Sequence, residues 1–448
     1  MGTDVIILAA GEGTRMVSDL PKPLHTLMGK TLIEHVLSAS TALVNEPPVM
    51  VVGYGGEKIR ESLGDQFRYV EQAEMLGTGH AVQQAESVLK GKSDLVLVVY
   101  GDMPLIREET LREIIKTQQN HEGPLTLLTV ESENPRGFGR IFRDVSGNIQ
   151  AIVEEADASP EQLKIRELNA GIYCFRSDWL WESLNQLTLS PKGEYYLTDL
   201  VGLAAGKGLS IGSVLAEDPE ELIGINTRIH LAEAALIMRK LINQRLMLAG
   251  VTIIDPLSTY IDSNVSIGQD SVIFPNTYLR GNTEIGKRCS IGPGTMIFNS
   301  KVGDSCEIDF SVIEESRIES GVDIGPFSHL RKGAHLGPDV HVGNFGEIKD
   351  SYLGAGSKMG HFSYIGNARI GKDVNIGAGT VTCNYDGEEK HETIIKDGVF
   401  IGSDSMLVAP LEIGENATTG AGSVVTKDVP DDTVVVGMPA RKISKKKK

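Results

Sequence analysis

Gly11, Gly13, Arg15 and Lys22 follow directly on the apolar run "DVIILAA", and Asp102 follows directly on another, "LVLVVYG". A glycine turn at the end of a buried strand exposes backbone N–H groups, and two cations close behind add positive potential. That combination suits a phosphate. A carboxylate just beyond a strand suits a hard divalent cation, and Mg²⁺ needs few protein ligands because substrate oxygens and water complete its octahedron. Three readings of the turn compete. The P-loop pattern fails, because Leu24 stands where a first glycine should precede Gly29-Lys30-Thr31. The dinucleotide fingerprint is half present in Gly11 and Gly13, but Met16 occupies its third small position. A plain strand-to-helix turn that holds no ligand is the third reading, and these residues alone leave it open.

A second chemistry lies far downstream. His361, in "GHFSYIG", carries a side chain able to take a proton near neutral pH, as a general base must. An ordinary surface histidine is the competing reading. Cys174, Cys289, Cys306 and Cys383 are far apart and lack CxxC spacing, which points to reduced thiols in the cytoplasm rather than to disulfides or zinc. Cys383 needs no covalent role.

These groups must be positioned by two different architectures. The chain has 448 residues, 41% apolar, with only 5% aromatic side chains and 50 glycines, so several units rich in tight turns and small aliphatic cores are expected. The formal charge of −17 disfavours a nucleic-acid backbone as partner while leaving room for small anions in a local basic pocket. No apolar run is long enough for a membrane span, and the N-terminus does not resemble a signal peptide. The basic ending "RKISKKKK", Arg441–Lys448, reads as a solvated end.

Over residues 1–226, buried strands ("VIILAA", "VMVVG", "LVLVVYGD", "LTLLTVE") alternate with helical patterns ("TLIEHVLSAS", "GHAVQQAESVLK", "EETLREIIKTQQN"). The expectation is a three-layer α/β domain with a mostly parallel, Rossmann-like sheet and its ligands beyond the carboxyl ends of the strands. Residues 227–250 read as one linking helix, capped by Thr227 and stopped by Gly250. From 251 to 448 an aliphatic residue followed by glycine recurs, often six residues apart, as from Ile285 to Ile291 and from Ile370 to Ile376. This is the hexapeptide signature of a left-handed parallel β-helix, with about ten coils of about 18 residues. The register breaks between Ile376 and Ile401, where "CNYDGEEKHETIIKDG" reads as an inserted loop able to carry binding groups.

The run "LAAGEGTRM" with "SDLPKPLHTLMGKTLIEHV" resembles the N-terminal signature of sugar-nucleotide pyrophosphorylases. "EQAEMLGTGHA", "YGDMPL", "GFGRI", "LNAGIY", "GEYYLTD" and "GIN" follow in the same order. Downstream, "HLRKG", "GNFGEIKDS", "KMGHFSYIGNARIG" and "NIGAGTVTCNYDG" resemble a hexapeptide acetyltransferase. Nearly the whole chain is thus similar to the bifunctional family that makes UDP-N-acetylglucosamine for the bacterial cell envelope. The resemblance implies acetyl transfer from acetyl-CoA to glucosamine 1-phosphate. It then implies uridylyl transfer from UTP to the product, with Mg²⁺ and release of pyrophosphate.

The same resemblance implies roles residue by residue. Leu8, Ala9, Ala10, Gly11, Gly13, Thr14, Arg15 and Lys22 would hold the nucleotide, with Tyr100 and Gly101 beside it. Gln72, Gly77 and Thr78 would face uracil, and Gly139, Glu154 and Asn169 the sugar. Asp102 and Asn226 would bind the metal. In the second site His361 would be the base, Arg331 and Lys349 would bind the sugar phosphate, and Tyr364 and Asn375 would lie nearby. Ala378, Asn384, Tyr385, Ser403 and Ala421 would contact acetyl-CoA, with Arg441 as candidate for its phosphates. Met75 departs from the family, where a relative has glutamine. Family members form trimers with acyl sites between subunits, so a cytoplasmic homotrimer is expected. Two rival readings stay open: a one-site nucleotidyltransferase with a scaffold β-helix, and an inactive sugar-nucleotide sensor.

Overall fold

A computed structural model describes residues 2–443 and divides into two compact units, Met1–Met238 and Arg239–Lys448. Ser444–Lys448 of the basic ending lie outside the described residues.

The first unit is built on a nine-stranded sheet: β1 (Thr3–Ala9), β2 (Val49–Val52), β3 (Arg68–Glu71), β4 (Leu95–Tyr100), β5 (Leu125–Glu131), β6 (Arg140–Arg143), β7 (Ile149–Val153), β8 (Glu167–Arg176) and β9 (Gly212–Leu215). The order is β9-β5-β8-β4-β1-β2-β3, with β6 joined to β8 and β7 to β6. β1 runs parallel to β2 and β4, and β9 parallel to β5, while β8 runs antiparallel to β4, β5 and β6. The mostly parallel sheet expected from sequence is therefore present, with one internal strand reversed. Along β1, Val5, Ile7 and Ala9 enter one core, whereas Ile6 and Leu8 enter the other. Burial on both faces is why its sequence is an unbroken apolar run rather than an alternation.

Helix α1 (Leu32–Ser40) begins with a capping box: Thr31 Oγ1 accepts from Glu34 N–H, and Glu34 Oε2 accepts from Thr31 N–H at 2.7 Å. "GHAVQQAESVLK" forms two short helices, α2 (Thr78–Gln83) and α3 (Glu86–Leu89), rather than one. Between them Ala85 N–H turns back three residues to the Val82 carbonyl (3.0 Å), which tightens the chain. Helix α4 (Glu108–Asn120) matches its predicted span. Helix α5 (Asp199–Gly206) follows, and helix α6 (Arg228–Leu248) contains the point at which the units divide. Thr227 Oγ1 accepts from His230 N–H (3.2 Å) at its start. Its end is a Schellman arrangement, with Gly250 N–H on the Met247 carbonyl and Val251 N–H on that of Leu246, both at 3.1 Å. No helix among the described residues is long and apolar enough to cross a membrane.

The second unit stacks two- to four-residue strands into three sheets of 12, 10 and 9 strands, parallel throughout except for the antiparallel hairpin that ends the first, Val434–Gly437 with Ala440–Ile443. Each coil adds one strand to each sheet in turn. Ile297, Ile313, Leu330, Ile348 and Ile365 stand directly above one another in one sheet, and all are fully buried. The recurrent glycine has a steric cause. A Cβ on Gly268 would lie 2.6 Å from the Gly286 carbonyl carbon, and one on Gly286 would lie 2.5 Å from that of Gly303. Successive coils approach too closely there for any side chain. The expected insertion sits between the strands Val381–Cys383 and Thr393–Ile395.

Gly286→Ala should destabilise the second unit by about 1–3 kcal/mol, because the backbone it meets cannot swing aside. Gly202→Ala, within α5, meets nothing within 4 Å and should be neutral or stabilising by about 0.5–1 kcal/mol. Calorimetry of the two full-length variants distinguishes these effects.

Two candidate active sites

The carboxyl ends of β1 and β4 open into a cleft of about 570 Å³. It is lined by Leu8, Ala9, Ala10, Gly11, Arg15, Lys22, Gln72, Gly77, Thr78, Tyr100, Asp102, Gly139, Glu154, Asn169 and Asn226 among others. Three residues of the predicted set stand behind it. Gly101 N–H is stitched to the Leu8 carbonyl (2.9 Å), and Thr14 opens a short 3₁₀ turn. Gly13 has φ +64°, and a Cβ there would lie 2.7 Å from Lys22 Cβ. This glycine clears the path along which Lys22 reaches the cleft.

Lys22 lies in a turn between Pro21 and Pro23. Its Nζ donates to Asp102 Oδ2 at 2.5 Å and to Asn226 Oδ1 at 3.3 Å, and Arg15 Nη2 donates to the same Asn226 oxygen at 3.0 Å. Two hard oxygens thus converge on one positive centre, a donor set suited to a divalent cation. Among the described residues no group of three or more His, Cys, Asp or Glu offers an all-protein metal cage.

One side of the cleft is assembled around β8. Asn169 N–H donates to the Gly139 carbonyl (2.8 Å), and Asn169 Nδ2 donates to Tyr173 Oη at 2.7 Å. The register of β8 shifts between Asn169 and Tyr173. Within the shift Gly171 has φ +79°, and a Cβ there would lie 2.8 Å from Tyr100 Cε2. Only glycine both adopts that conformation easily and leaves the ring its place. Burial, then the carboxylates of Glu154 and Asp102, push the Tyr100 phenol well above its ordinary range. Burial first, then Asp157 and Asp199, also raise the Glu154 carboxyl, opposed by the Thr198 hydroxyl that donates to its Oε1 at 3.1 Å. Thr198, Tyr196 and Glu194 line the cleft and were not singled out from sequence, although "GEYYLTD" contains all three. Met75 lines it as well.

In the second unit, Arg331 follows the strand His329–Leu330, and Lys349 ends the strand Gly346–Lys349. Arg331 Nη1 donates to Glu347 Oε1 at 2.8 Å, and Glu347 is in register with Tyr364 on the next coil. Lys390 first, and then Arg331, hold the Lys349 ammonium below its ordinary range. Lys390 is absent from the sequence reading. The inserted loop brings it there by folding back on itself at a Tyr385–Lys390 bridge, with Asn384 anchored to Asn367 Oδ1 at 2.6 Å. Three cations therefore gather at one edge, a binding place for a phosphate.

The remaining groups lie elsewhere on the coils. His361 is exposed in the turn before the strand Ser363–Gly366. Above it the same turn repeats. Gly379 N–H donates to the Phe362 carbonyl (2.7 Å), Asp404 N–H to that of Ala378 (2.6 Å) and Gly422 N–H to that of Ser403 (2.8 Å). The strands that follow pair Tyr364 with Val381, Val381 with Met406 and Met406 with Val424, and this register aligns His361, Ala378, Ser403 and Ala421. Asn375 occupies another sheet, between Lys358 and Phe400. Tyr385 is exposed, and its Oη donates to the Gly387 carbonyl at 2.6 Å. Arg441 lies in the last hairpin, and its Nη1 donates to the Ala440 carbonyl at 3.1 Å. Within a single chain it is not gathered with the others. Cys383 is half-buried, and burial pushes its thiol up, away from reactivity.

Two family models match the chain: Nucleotidyl transferase over residues 4–219, and Bacterial transferase hexapeptide (six repeats) over residues 264–299 and 392–427. "Bifunctional protein GlmU" of Syntrophomonas wolfei is 45% identical over 444 residues, 99% of this chain and 99% of that protein. Proteins of the same name are similar too. That of Streptococcus gordonii is 47% identical over 98% of this chain and 96% of its own, and that of Streptococcus agalactiae serotype V is 45% identical over 98% and 95%.

The raised Glu154 carboxyl gives a pH-dependent expectation. A carboxyl held above its unfolded value binds its proton more tightly in the folded state, so stability is lost as pH rises through that interval. Glu154→Gln removes the buried charge and keeps an acceptor for Thr198. Its thermal midpoint should exceed that of the unsubstituted chain at neutral pH, and the difference should shrink towards about pH 4, near the unperturbed carboxyl value.

Proposed function

Since the chain belongs to the family of the bifunctional protein GlmU, we propose that the residues gathered in its two units divide the two activities of that family between them. It is a bifunctional transferase with a uridylyltransferase half and a hexapeptide acetyltransferase half. Residues 1–226 would carry the first activity, 227–250 the link and 251–448 the second. One observation carries the second assignment above all. A coil with only scaffold duty has no use for two cations, Lys390 and Arg331, brought up against a third, Lys349.

In the first site, the Gly11–Arg15 turn and Lys22 hold the phosphates of UTP. Gln72, Gly77 and Thr78 hold the base, and Gly139, Glu154 and Asn169 hold N-acetylglucosamine 1-phosphate. A phosphate oxygen of the sugar forms a bond to the α-phosphorus as the bond to the β-phosphate oxygen breaks, and pyrophosphate leaves. Arg15 and Lys22 both reach the cleft, so they supply positive charge where negative charge develops. Asp102 Oδ2 and Asn226 Oδ1 would hold Mg²⁺. When bound, that ion supplies further neutralisation of phosphate charge.

In the second site, Arg331, Lys349 and Lys390 hold the phosphate of glucosamine 1-phosphate. His361 takes the proton of the sugar amine, whose nitrogen attacks the thioester carbonyl. The carbon–sulfur bond breaks, and CoA leaves as the thiol. Acetyl-CoA would lie along the ladder of Ala378, Ser403 and Ala421. The reading implies the cytoplasm, where both co-substrates are available.

His361 precedes the strand Ser363–Gly366, whereas Arg331 follows one strand of the same sheet and Lys349 ends another. At about 3.3 Å per residue, one copy holds base and phosphate cluster on the order of 10 Å or more apart. This supports a homotrimer in which neighbouring copies complete each site. An exposed aromatic ladder leads to His361. The Phe310, Phe327 and Phe345 rings stack 5.6 Å apart with 44%, 55% and 60% exposure, and Phe362, 57% exposed, stands on the next coil. All three stacked residues have positive φ, rare for bulky side chains, so the backbone displays them outward at a steric cost.

Mixed with acetyl-CoA and glucosamine 1-phosphate without UTP, the protein should release free CoA thiol. His361→Ala should cut this rate by about 10²–10⁴-fold, the usual contribution of a general base, with uridylyl transfer unchanged. No release from the unsubstituted protein would leave the second unit as a scaffold. Phe327→Asp should convert the trimer to monomer in sedimentation and lose acetyl transfer. A fully active monomer would rule the trimer out.

A further inference from the structure

The carboxamide of Gln72 is held in one orientation by two acceptors. Gln72 is only 3% exposed, and its Nε2 lies 3.0 Å from the Gly77 carbonyl oxygen and 3.1 Å from His80 Nδ1. A backbone carbonyl can only accept, so the atom facing Gly77 is the amide nitrogen and not its oxygen. That nitrogen then donates its other hydrogen to His80, which requires the imidazole proton to sit on Nε2 and leaves Nδ1 bare. The second consequence is chemical. With both hydrogens engaged, Gln72 offers only Oε1 to the cleft that it lines.

We infer that His80, from the first turn of α2, is a positioning residue that sets the base selectivity of the uridylyl site by holding the Gln72 amide oxygen towards the nucleotide. The inference rests on the proposal that Gln72 meets the base. Uracil carries an N–H at position 3, whereas cytosine carries a lone pair there. A fixed acceptor accepts from the first and repels the second. Without His80, one of the two restraints is gone, and the amide can rotate to present Nε2–H, which suits cytosine. Buried polar groups that find no partner are the strongest source of such discrimination, so a restraint on one amide is enough to matter.

The test measures pyrophosphate release from UTP and from CTP by the full-length protein, with N-acetylglucosamine 1-phosphate as acceptor, for Gln72→Ala, His80→Leu and His80→Asn. His80→Leu should lower the UTP-over-CTP ratio of kcat/KM by about tenfold, the worth of one hydrogen bond to a buried group, with the KM for the sugar phosphate unchanged. His80→Asn, which restores an acceptor oxygen, should recover most of the ratio. If Gln72→Ala collapses the ratio while His80→Leu leaves it intact, or lowers both triphosphates equally, the role of His80 is wrong. If Gln72→Ala itself leaves the ratio intact, the base does not meet Gln72, and the placement of uracil fails with it.

Discussion

The Lys22 ammonium is the point on which the first site turns. It joins three segments that are remote in sequence: the proline-bounded turn that carries it, the end of β4 through Asp102 Oδ2, and the approach to α6 through Asn226 Oδ1. Asp102 and Lys22 keep only 16% of their side-chain surfaces exposed, so neither charge could be left unpaired cheaply. The pairing explains features that look unrelated in the sequence. Gly13 must lack a Cβ for Lys22 to pass, and the prolines on either side of Lys22 limit the loop's freedom. Further in, Tyr100 is pressed against the bulge at Gly171, and Glu154 is kept dry beside Thr198. The cleft therefore stores two costs among its lining residues, an enclosed ion pair and a buried carboxyl.

In the second unit the governing constraint is distance between coils. Parallel strands stack at close to the minimum spacing a backbone permits, and at the recurrent corner that spacing leaves room for glycine only. Repetition has a functional consequence. Any outward residue at the same position of each coil forms a straight row, so a row of phenylalanines and a row holding His361, Ala378, Ser403 and Ala421 arise from one geometric rule. The one departure from the repeat, the loop after Cys383, brings in what a row cannot provide. Its fold-back sets Lys390 beside Lys349, two charges that repel in the free protein and have a use together when an anion lies between them.

Sequence alone determined the frame. Unbroken apolar runs demanded strands covered on both faces, the pattern of "TLIEHVLSAS" marked α1, and the six-residue period demanded stacked coils. Each follows from local periodicity or from groups a few residues apart, which a linear reading can detect. Most of the lining of the first cleft was legible through the resemblance of its motifs to a known family, and only Gly11, Arg15, Lys22 and Asp102 stood out from their place after buried strands. Tertiary structure alone decided the reversal of β8, which depends on how distant strands compete for neighbours and not on any pattern within the strand. It also decided which polar atoms face which: that His80 restrains Gln72, that Thr198 meets Glu154, and that Lys390 returns to Lys349. Those pairings are set by side-chain direction across folded segments, and a side chain has no direction until the backbone beneath it has been packed.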